Sequence, residues 1–352
     1  MPKKPTAQDL ASLRVPTDVR LSPDGRFAAY VVKENAPDLA GYRTAVWLAP
    51  VDGSEPPRRL TLGANHDGAP RWSPDGRYLA FLSDRGAVLR AGGAARDKDD
   101  LKLASAPASG LKDLVGRDLP HGVLQVWLLP MAGGEAAPLT NLPEDVTGLA
   151  WSPDSARLCL VSAATSATRE LPRPDAADAP RPDARLIDEL GYQLNGAGFI
   201  YEQKSNLWIV EAADGRTRRL TSGRSRDVQP AWSPDGKRIV FASDRGPNPD
   251  LHWRSGIYLV DATGGKPVLV SAGDERAFGA PAWSPDGKLI AATGHRLESG
   301  NPTREDVHVF RPRADQKGQN LTAEADLFID AAMNSDLYGA TPVGPQWAPD
   351  SG

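Results

Sequence analysis

One fifteen-residue stretch, RWSPDGRYLAFLSDR at residues 71–85, recurs along the chain. Three copies keep most of its pattern and two are looser, and they lie at 20–32, 231–245, 282–294, 150–162 and 346–352. Such self-similarity is typical of a repeat array, in which each unit buries its apolar face only against neighbouring units. The repeat therefore constrains the fold more than any other feature of the sequence.

The repeat predicts two strands joined by a tight turn. In Ser73-Pro74-Asp75-Gly76 the serine offers a hydroxyl, the proline fixes φ, and the glycine can adopt the left-handed conformation. The run after the turn, 78–82, is almost continuously apolar, as in a strand that is covered on both faces. An aromatic residue, usually tryptophan, ends the first strand just before the turn.

Two further markers complete the repeating unit. A ring residue lies in a second apolar segment, and a Leu-Thr pair follows it in most copies. The ring residues are Trp47, Trp127, Trp208, Tyr258 and His308, and the pairs are Leu60-Thr61, Leu139-Thr140, Leu220-Thr221 and Leu321-Thr322. Each of the first four ring residues precedes the next motif serine by 25 or 26 residues. Four antiparallel strands repeated radially predict an all-β fold, a β-propeller.

The spacing also predicts the domain organisation. We expect five full blades and the first strand of a sixth over residues 20–352, after an N-terminal extension at 1–19. In that extension, Thr6 and Asp9 predict a capping box that opens a short helix from Ala7 to Leu13.

Two blades carry insertions. From motif serine to ring residue the interval is 24 or 25 residues in three blades, but 54 and 56 residues in blades 2 and 3. These insertions lie near 86–122 and 165–205, between the second and third strands, and a third expansion follows blade 5. In an antiparallel blade all three lie on the face opposite the Ser-Pro-Asp-Gly turns. We expect function on that face, because binding loops commonly extend from a rigid scaffold.

Composition argues against several classes of function. The formal net charge is −4 and basic residues occur in runs of at most two, such as Lys3-Lys4, so we expect no nucleic-acid partner. No segment approaches the ~20 apolar residues of a membrane span. The N-terminus lacks an apolar segment of signal-peptide length, so we expect a cytoplasmic protein. The five histidines show no metal-ligand spacing.

Two single residues give expectations about packing. Cys159, the only cysteine, lies in a predicted buried strand, where no intramolecular disulfide is available to it. Ser155 occupies the glycine position of its turn, so it is expected at positive φ. On that basis, Ser155→Gly is expected to stabilise the fold or to leave its stability unchanged.

We predict no catalytic, cofactor-binding or metal-ligating residues in this chain. The segment 223–227, GRSRD, lacks the closing glycine of a hydrolase nucleophile elbow. The segment 65–68, NHDG, is interpreted as a turn, and 196–198, GAG, as a hairpin rather than half of a dinucleotide-binding motif. The Ser-Asp-Arg endings at 83–85 and 243–245 recur at one repeat position, which indicates a structural turn or an inter-blade salt bridge.

The motif WSPDGRYLAFLSDR resembles the propeller repeats shared by TolB, the tricorn protease and the prolyl oligopeptidase family of serine peptidases. Two stretches, TAQDLASLRVPTDVRLSPDGRFAAYVV and IDELGYQLNGAGFIYEQKSNLWIVEAADGRTRRLT, resemble the acylaminoacyl-peptidase branch of that family. The resemblance implies a seven-bladed propeller before an α/β-hydrolase domain with a Ser-Asp-His triad. It also implies that the propeller selects the peptides that reach the cavity between the domains.

Positions that match the triad do not exist in this sequence, so we expect the N-terminal part of such an enzyme, which does no chemistry alone. Its expected partners are the hydrolase domain and peptide substrates, and an open ring would favour association of copies. The alternative is a free-standing TolB-like propeller that binds a protein partner. The lack of an export signal favours the first reading, since TolB acts in the periplasm.

Overall fold

Five four-stranded antiparallel sheets follow one another along the chain, each with its strands hydrogen-bonded in chain order. The computed structural model describes residues 6, 9, 11–36, 41–62, 66–85, 122–165, 187, 189–194, 198–199, 201, 203–246, 248–252, 254–272, 276–298, 301–302, 304–325 and 344–350. The first strands of successive sheets lie against one another, so they surround a common axis. This radial arrangement is a β-propeller, and the predicted fold class is confirmed.

In every blade the fourth strand is the shortest. Blade 1 contains β1 (Arg14–Leu21), β2 (Phe27–Asn35), β3 (Tyr42–Pro50) and β4 (Arg58–Arg59). Blade 2 contains β5 (Asp67–Trp72), β6 (Tyr78–Ser83), β7 (Gln125–Pro130) and β8 (Ala137–Pro138). Blade 3 contains β9 (Val146–Trp151), β10 (Arg157–Thr165), β13 (Gln203–Glu211) and β14 (Thr217–Arg219). Blade 4 contains β15 (Asp227–Trp232), β16 (Arg238–Ser243), β17 (Gly256–Asp261) and β18 (Val268–Leu269). Blade 5 contains β19 (Ala277–Trp283), β20 (Ile290–His295), β23 (Asp306–Phe310) and β24 (Gln319–Asn320).

Two short ribbons lie between the second and third strands of blades 3 and 5. They are β11 (Gln193–Leu194) with β12 (Gly198–Phe199), and β21 (Leu297–Glu298) with β22 (Asn301–Pro302).

The end of the N-terminal segment belongs to the first blade, which the sequence predicts to begin at about Val15. Strand β1 begins at Arg14, inside the segment 1–19 that was assigned to an extension. The predicted capping box is confirmed: the Thr6 N–H donates to Asp9 Oδ2 at 2.7 Å, and the Asp9 N–H donates to Thr6 Oγ1 at 3.4 Å. Residues 7, 8 and 10 of the predicted helix lie outside the described residues.

The motif serine holds each turn together. Ser73 Oγ donates to Asp75 Oδ1 at 2.6 Å and accepts from the Tyr78 N–H at 2.9 Å. Gly76 has φ +70° and its N–H donates to the Ser73 carbonyl at 2.8 Å. The serine-to-aspartate bond and the bond to the serine hydroxyl recur in the four other turns. Because Ser73 is fully buried, its hydroxyl needs these partners, which explains why the motif retains it.

These turns predict a specific effect of pH. The Ser284 hydroxyl, together with Lys288, lowers the pKa of Asp286 to about 2. We expect Ser284→Ala to raise that pKa toward 3.8. The folded pKa lies below the unfolded one, so this stabilisation is complete above about pH 4 and is lost as the pH falls through about 2. An NMR titration of the carboxyl carbon measures the pKa, with Ser54→Ala as the control. An Asp286 pKa that stays near 2 in Ser284→Ala would exclude the hydroxyl as the cause.

The motif tryptophan ties each blade to the preceding one. The tryptophan Nε1–H donates to a backbone carbonyl in the preceding blade, that of the residue two positions before the preceding blade's motif serine. The pairs are Trp72–Arg20, Trp151–Arg71, Trp232–Ala150, Trp283–Ala231 and Trp347–Ala282, at 3.0–3.3 Å. Trp347 thus takes the position of a sixth blade's first strand, as predicted, although residues 344–350 form no strand pairing within the described chain.

The hydroxyl after each fourth strand explains the Leu-Thr pairs. It accepts a hydrogen bond from a backbone N–H of the third strand in the same blade. The pairs are Thr61 with Val46, Thr140 with Val126, Thr221 with Leu207 and Thr322 with Val307, at 2.9–3.0 Å. In blade 4, Ser271 accepts from the Ile257 N–H at 3.0 Å, so a serine replaces the threonine there.

The first strands carry a recurrent bulge at the axis. The residue four positions before the motif serine has φ between +46° and +53° in four blades, and these residues are Asp18, Ala69, Gln229 and Ala280. The pairing with the second strand shifts register there. A proline follows this residue in three of the blades. The first strand is the inner edge of its sheet and has no strand on that side, so the N–H that proline lacks is not needed for pairing.

Neighbouring blades bury an apolar core between them. Cys159, Leu207 and Ile209 of blade 3 pack against Ile239 and Phe241 of blade 4. Cys159 is 0% exposed and free of disulfide bonds, and burial raises the pKa of its thiol. The predicted burial of this side chain is confirmed.

Ser155 has φ +60°, as predicted, and its Oγ also accepts a hydrogen bond from the Asp75 N–H of blade 2 at 3.0 Å. Glycine would relieve strain of ~1 kcal/mol but lose a bond of similar worth, so we expect Ser155→Gly to be neutral within ~0.5 kcal/mol. Ser155→Ala keeps the strain and loses the bond, and should cost ~1 kcal/mol. Urea unfolding measures both. A glycine variant less stable than the alanine variant would contradict this account.

Candidate functional site on the loop face

The second-to-third connections lie on one face of the disc, which we call the loop face, opposite the Ser-Pro-Asp-Gly turns. The predicted insertions near 86–122 and 165–205 leave and rejoin the sheets there, between β6 and β7 and between β10 and β13. Residues 86–121 and most of 166–202 lie outside the described residues. The described part of the second insertion reaches the neighbouring blade.

A hollow of about 460 Å³ opens on the loop face between blades 3 and 4. It is lined by Ile187, Glu189, Leu190, Tyr192, Asp250 and Leu251. Its four apolar side chains are 38–70% exposed. Clustered exposed apolar side chains mark a surface that contacts another molecule or domain, so this hollow is the candidate functional site.

Polar contacts hold the two sides of the hollow. Glu189 pairs with Lys204 Nζ at 2.5 Å and with Arg224 Nη2 at 2.9 Å. The Leu190 N–H donates to Asp250 Oδ2 at 3.3 Å, which joins the blade 3 insertion to the blade 4 loop. The Glu189 and Lys204 side chains are only 13% and 12% exposed, so removing either partner would leave the other charge buried and unpaired.

The Ser-Asp-Arg endings are structural; of the two readings given for them, the inter-blade salt bridge is wrong, because each arginine pairs within its own blade. Arg245 pairs with Asp227 of its own blade, through Nε at 2.9 Å and Nη2 at 2.5 Å. Ser243 Oγ also donates to Asp227, at 2.7 Å. The inter-blade contact is a hydrogen bond, from Thr221 Oγ1 to Asp227 Oδ2 at 2.6 Å. The second aspartate of the motif, Asp244, accepts from the Arg226 N–H, and its burial raises its pKa.

Among the described residues, the histidine near blade 2 pairs with an aspartate and forms no hydrogen bond to a serine. His66 Nδ1 lies 2.9 Å from Asp84 Oδ2, and the His66 N–H donates to Asp84 Oδ1 at 2.8 Å. The Ser83 hydroxyl instead accepts from Arg85 Nε at 2.8 Å. The interpretation of 65–68 as a turn is wrong in part, because Asp67 and Gly68 begin β5 and Asp67 pairs with Arg85 at 2.7 Å.

The other weighed segments are also accounted for. Gly198 belongs to the ribbon β11–β12, as a hairpin predicts, whereas 196 and 197 lie outside the described residues. Residues 223–225 form a bend between β14 and β15. In the described part of the chain, no three His, Cys, Asp or Glu side chains are grouped to hold a metal ion. No helix of that part is long and apolar enough to cross a membrane.

Comparisons with known proteins agree with the fold. The family model for the TolB beta propeller domain matches residues 197–321. The uncharacterized peptidase YuxL of Bacillus subtilis is 28% identical over 262 residues, which cover 74% of this chain and 34% of that protein. An uncharacterized protein of Agrobacterium fabrum is 29% identical over 299 residues, which cover 80% of this chain and 81% of that protein.

Among solved structures, Pyrococcus horikoshii acylaminoacyl peptidase matches with a TM-score of 0.56 at 15% identity, over 89% of this chain and 40% of that one. This likeness shows a shared propeller fold. The chain spans about a third of the length of the Bacillus peptidase, but most of the length of the Agrobacterium protein.

Proposed function

We propose that this propeller is the substrate-admitting domain of a serine peptidase of the acylaminoacyl-peptidase branch of the prolyl oligopeptidase family. The reaction would be peptide hydrolysis, with release of N-acylated residues or cleavage of short peptides, in an α/β-hydrolase domain outside this chain. The observation that carries the proposal is the 28% identity to a peptidase over 74% of this chain, which spans 34% of that relative. Most of the relative's length is therefore available for a catalytic domain.

The loop face supports this role. It carries both long insertions and the hollow lined by Leu190, Tyr192 and Leu251. In contrast, the opposite face carries uniformly short turns. We propose that the loop face meets the hydrolase domain and that the segments 86–122 and 165–205 control which peptides enter.

Serine-directed labelling tests the proposed activity. The gene would be sequenced beyond Gly352 for a Gly-x-Ser-x-Gly motif, and the full-length protein treated with a fluorophosphonate probe. We expect one labelled serine outside residues 1–352. The proposal fails if no such motif follows or if no serine is labelled. The predicted cytoplasmic location stays a prediction, which cell fractionation tests.

Deletion of residues 86–122 from the full-length protein tests the control of entry. We expect the ratio of activity on short to long peptides to change severalfold, because this insertion belongs to the loop face. A variant with a Gly-Ser linker of equal length separates the effect of sequence from that of length. An unchanged ratio and an unchanged oligomeric state in the deletion variant would contradict the gating role.

A free-standing propeller that binds a protein partner is the second candidate. It is favoured by the TolB family model at 197–321 and by the Agrobacterium relative, 81% of which aligns with this chain. The same sequencing and labelling experiments distinguish the two functions, because a free-standing propeller has no hydrolase serine.

A further inference from the structure

At the axis of the propeller, blades 1 and 2 bring two guanidinium groups to one carboxylate. Arg71 Nη1 lies 2.9 Å from Asp18 Oδ2 and 3.1 Å from Asp18 Oδ1. Arg20 Nε lies 2.9 Å from Asp18 Oδ1, and its Nη2 lies 2.8 Å from the same oxygen. Asp18 and Arg20 belong to β1 and Arg71 to β5, so all three lie on innermost strands.

The charges in this cluster do not balance. Two arginines face one aspartate, which leaves one excess positive charge. The aspartate side chain is 7% exposed and each arginine side chain 27% exposed. The corresponding positions of the other blades hold no charged residue: they are Gly148 and Ala150, Gln229 and Ala231, and Ala280 and Ala282. At these two positions, charged residues therefore occur only in blades 1 and 2 of the five.

The two guanidinium groups do not use all of their N–H donors in hydrogen bonds to the described residues. Arg71 Nη1 donates to Asp18 and to the Pro70 carbonyl at 2.7 Å. Among the described residues, the hydrogen bonds of these two side chains come from Arg71 Nη1 and Arg20 Nε. Burial lowers the pKa of Arg71, and Asp18 partly offsets this effect. A partly buried cation with further N–H donors gains most from an anion that supplies two oxygens.

The fold itself does not require the second arginine. The junctions between blades 2 and 3, 3 and 4, and 4 and 5 all use the motif tryptophan without a charge pair at this position. The junction between blades 1 and 2 has the same link, from Trp72 to Arg20. The charged cluster is thus additional to the link that the repeat supplies.

We propose that Arg20 and Arg71 form an anion site at the propeller axis that binds the C-terminal carboxylate of a peptide. The planar guanidinium donors match the two oxygens of a carboxylate. This inference rests on the proposed function in one respect, namely that the ligand is a peptide. The site itself depends only on the cluster of charges.

Binding of three pentapeptides of one sequence to the 352-residue chain tests the site by calorimetry. One has a free C-terminus, one is amidated, and one is amidated with a glutamate as its last residue. We expect amidation to weaken binding about tenfold, the worth of one charge-assisted hydrogen bond. If the glutamate peptide binds as the free acid does, the site takes any carboxylate, and its assignment to the C-terminal carboxylate is overturned. Equal binding of the acid and its amide overturns the proposal.

Variants of the two arginines test whether the preference for the free-acid peptide arises at the propeller axis. We expect Arg71→Gln to abolish the preference for the free acid and Arg71→Lys to keep part of it. Arg77→Gln is the matched control, because Arg77 is 75% exposed in the turn of blade 2, and it should retain the full preference. An Arg71→Gln variant that keeps the preference overturns the assignment. If that variant fails to fold, Arg20→Gln replaces it, and the acid and amide comparison on the unmodified chain still decides.

The two proposals fail separately. Loss of the acid preference leaves the serine labelling of the full-length protein untouched. Conversely, a protein without a hydrolase serine that still prefers the free acid retains the anion site and loses only the peptidase function.

Discussion

Replacement of Trp232 by alanine is expected to lower the free energy of unfolding by about 3–5 kcal/mol. Trp232 is 7% exposed and lies in the core between blades 3 and 4. Its Nε1–H donates to the Ala150 carbonyl at 3.0 Å, and the Arg157 guanidinium lies 5.0 Å from the ring centroid. Alanine would remove the inter-blade hydrogen bond, the cation–π contact and most of the buried apolar area together.

Two variants separate the parts of this effect. Trp232→Phe keeps an aromatic ring and loses the N–H, which leaves the Ala150 carbonyl without its donor, at a cost of about 1–2 kcal/mol. Trp347→Ala tests the same link at a half-buried position and should cost less than Trp232→Ala. Urea unfolding monitored by circular dichroism gives all three values. A loss below ~1 kcal/mol for Trp232→Ala would show that the tryptophan is not the main inter-blade contact.

The sequence predicted the parts of the fold that depend on local chemistry. Ser73, Asp75 and Gly76 form a complete turn within six residues, so the motif and its phasing were enough to predict the blades. The threonine of the Leu-Thr pair was visible as a marker, but its role was not, since Thr221 bonds to Leu207 across two strands. Blade 4 lacks the Leu-Thr marker in its sequence, because there Ser271 accepts the hydrogen bond from the third strand.

Features that join distant segments were not predictable. The bulge at the axis places three different residue types, aspartate, glutamine and alanine, at positive φ in four blades, so no residue preference indicates it. The hollow depends on contact between 187–192 and 250–251, which no local pattern specifies. The anion site likewise brings Asp18 to Arg71, 53 positions along the chain.

Blade 1 exposes apolar side chains that the other blades cover, and this exposure is the basis of the second prediction. Leu21 occupies the position of the motif tryptophan but is 61% exposed, and Val19 is 56% exposed. Leu149, which corresponds to Val19 in blade 3, is only 8% exposed because blade 2 covers it. Leu21 pairs with Ala28 in the sheet, and their counterparts in blade 2, Trp72 and Leu79, pack against blade 1.

We therefore expect the 352-residue chain to self-associate through this apolar face. The double variant Val19→Lys with Leu21→Lys should raise the dissociation constant of that association at least tenfold. Two buried lysines would each lose hydration at such an interface, which opposes association. Sedimentation velocity across a concentration series measures the effect. The matched control is Val51→Lys with Leu321→Lys, a pair in which both side chains are 55% exposed elsewhere on the surface. If the unmodified chain is monomeric throughout the series, or if both double variants act alike, blade 1 does not present the contact surface.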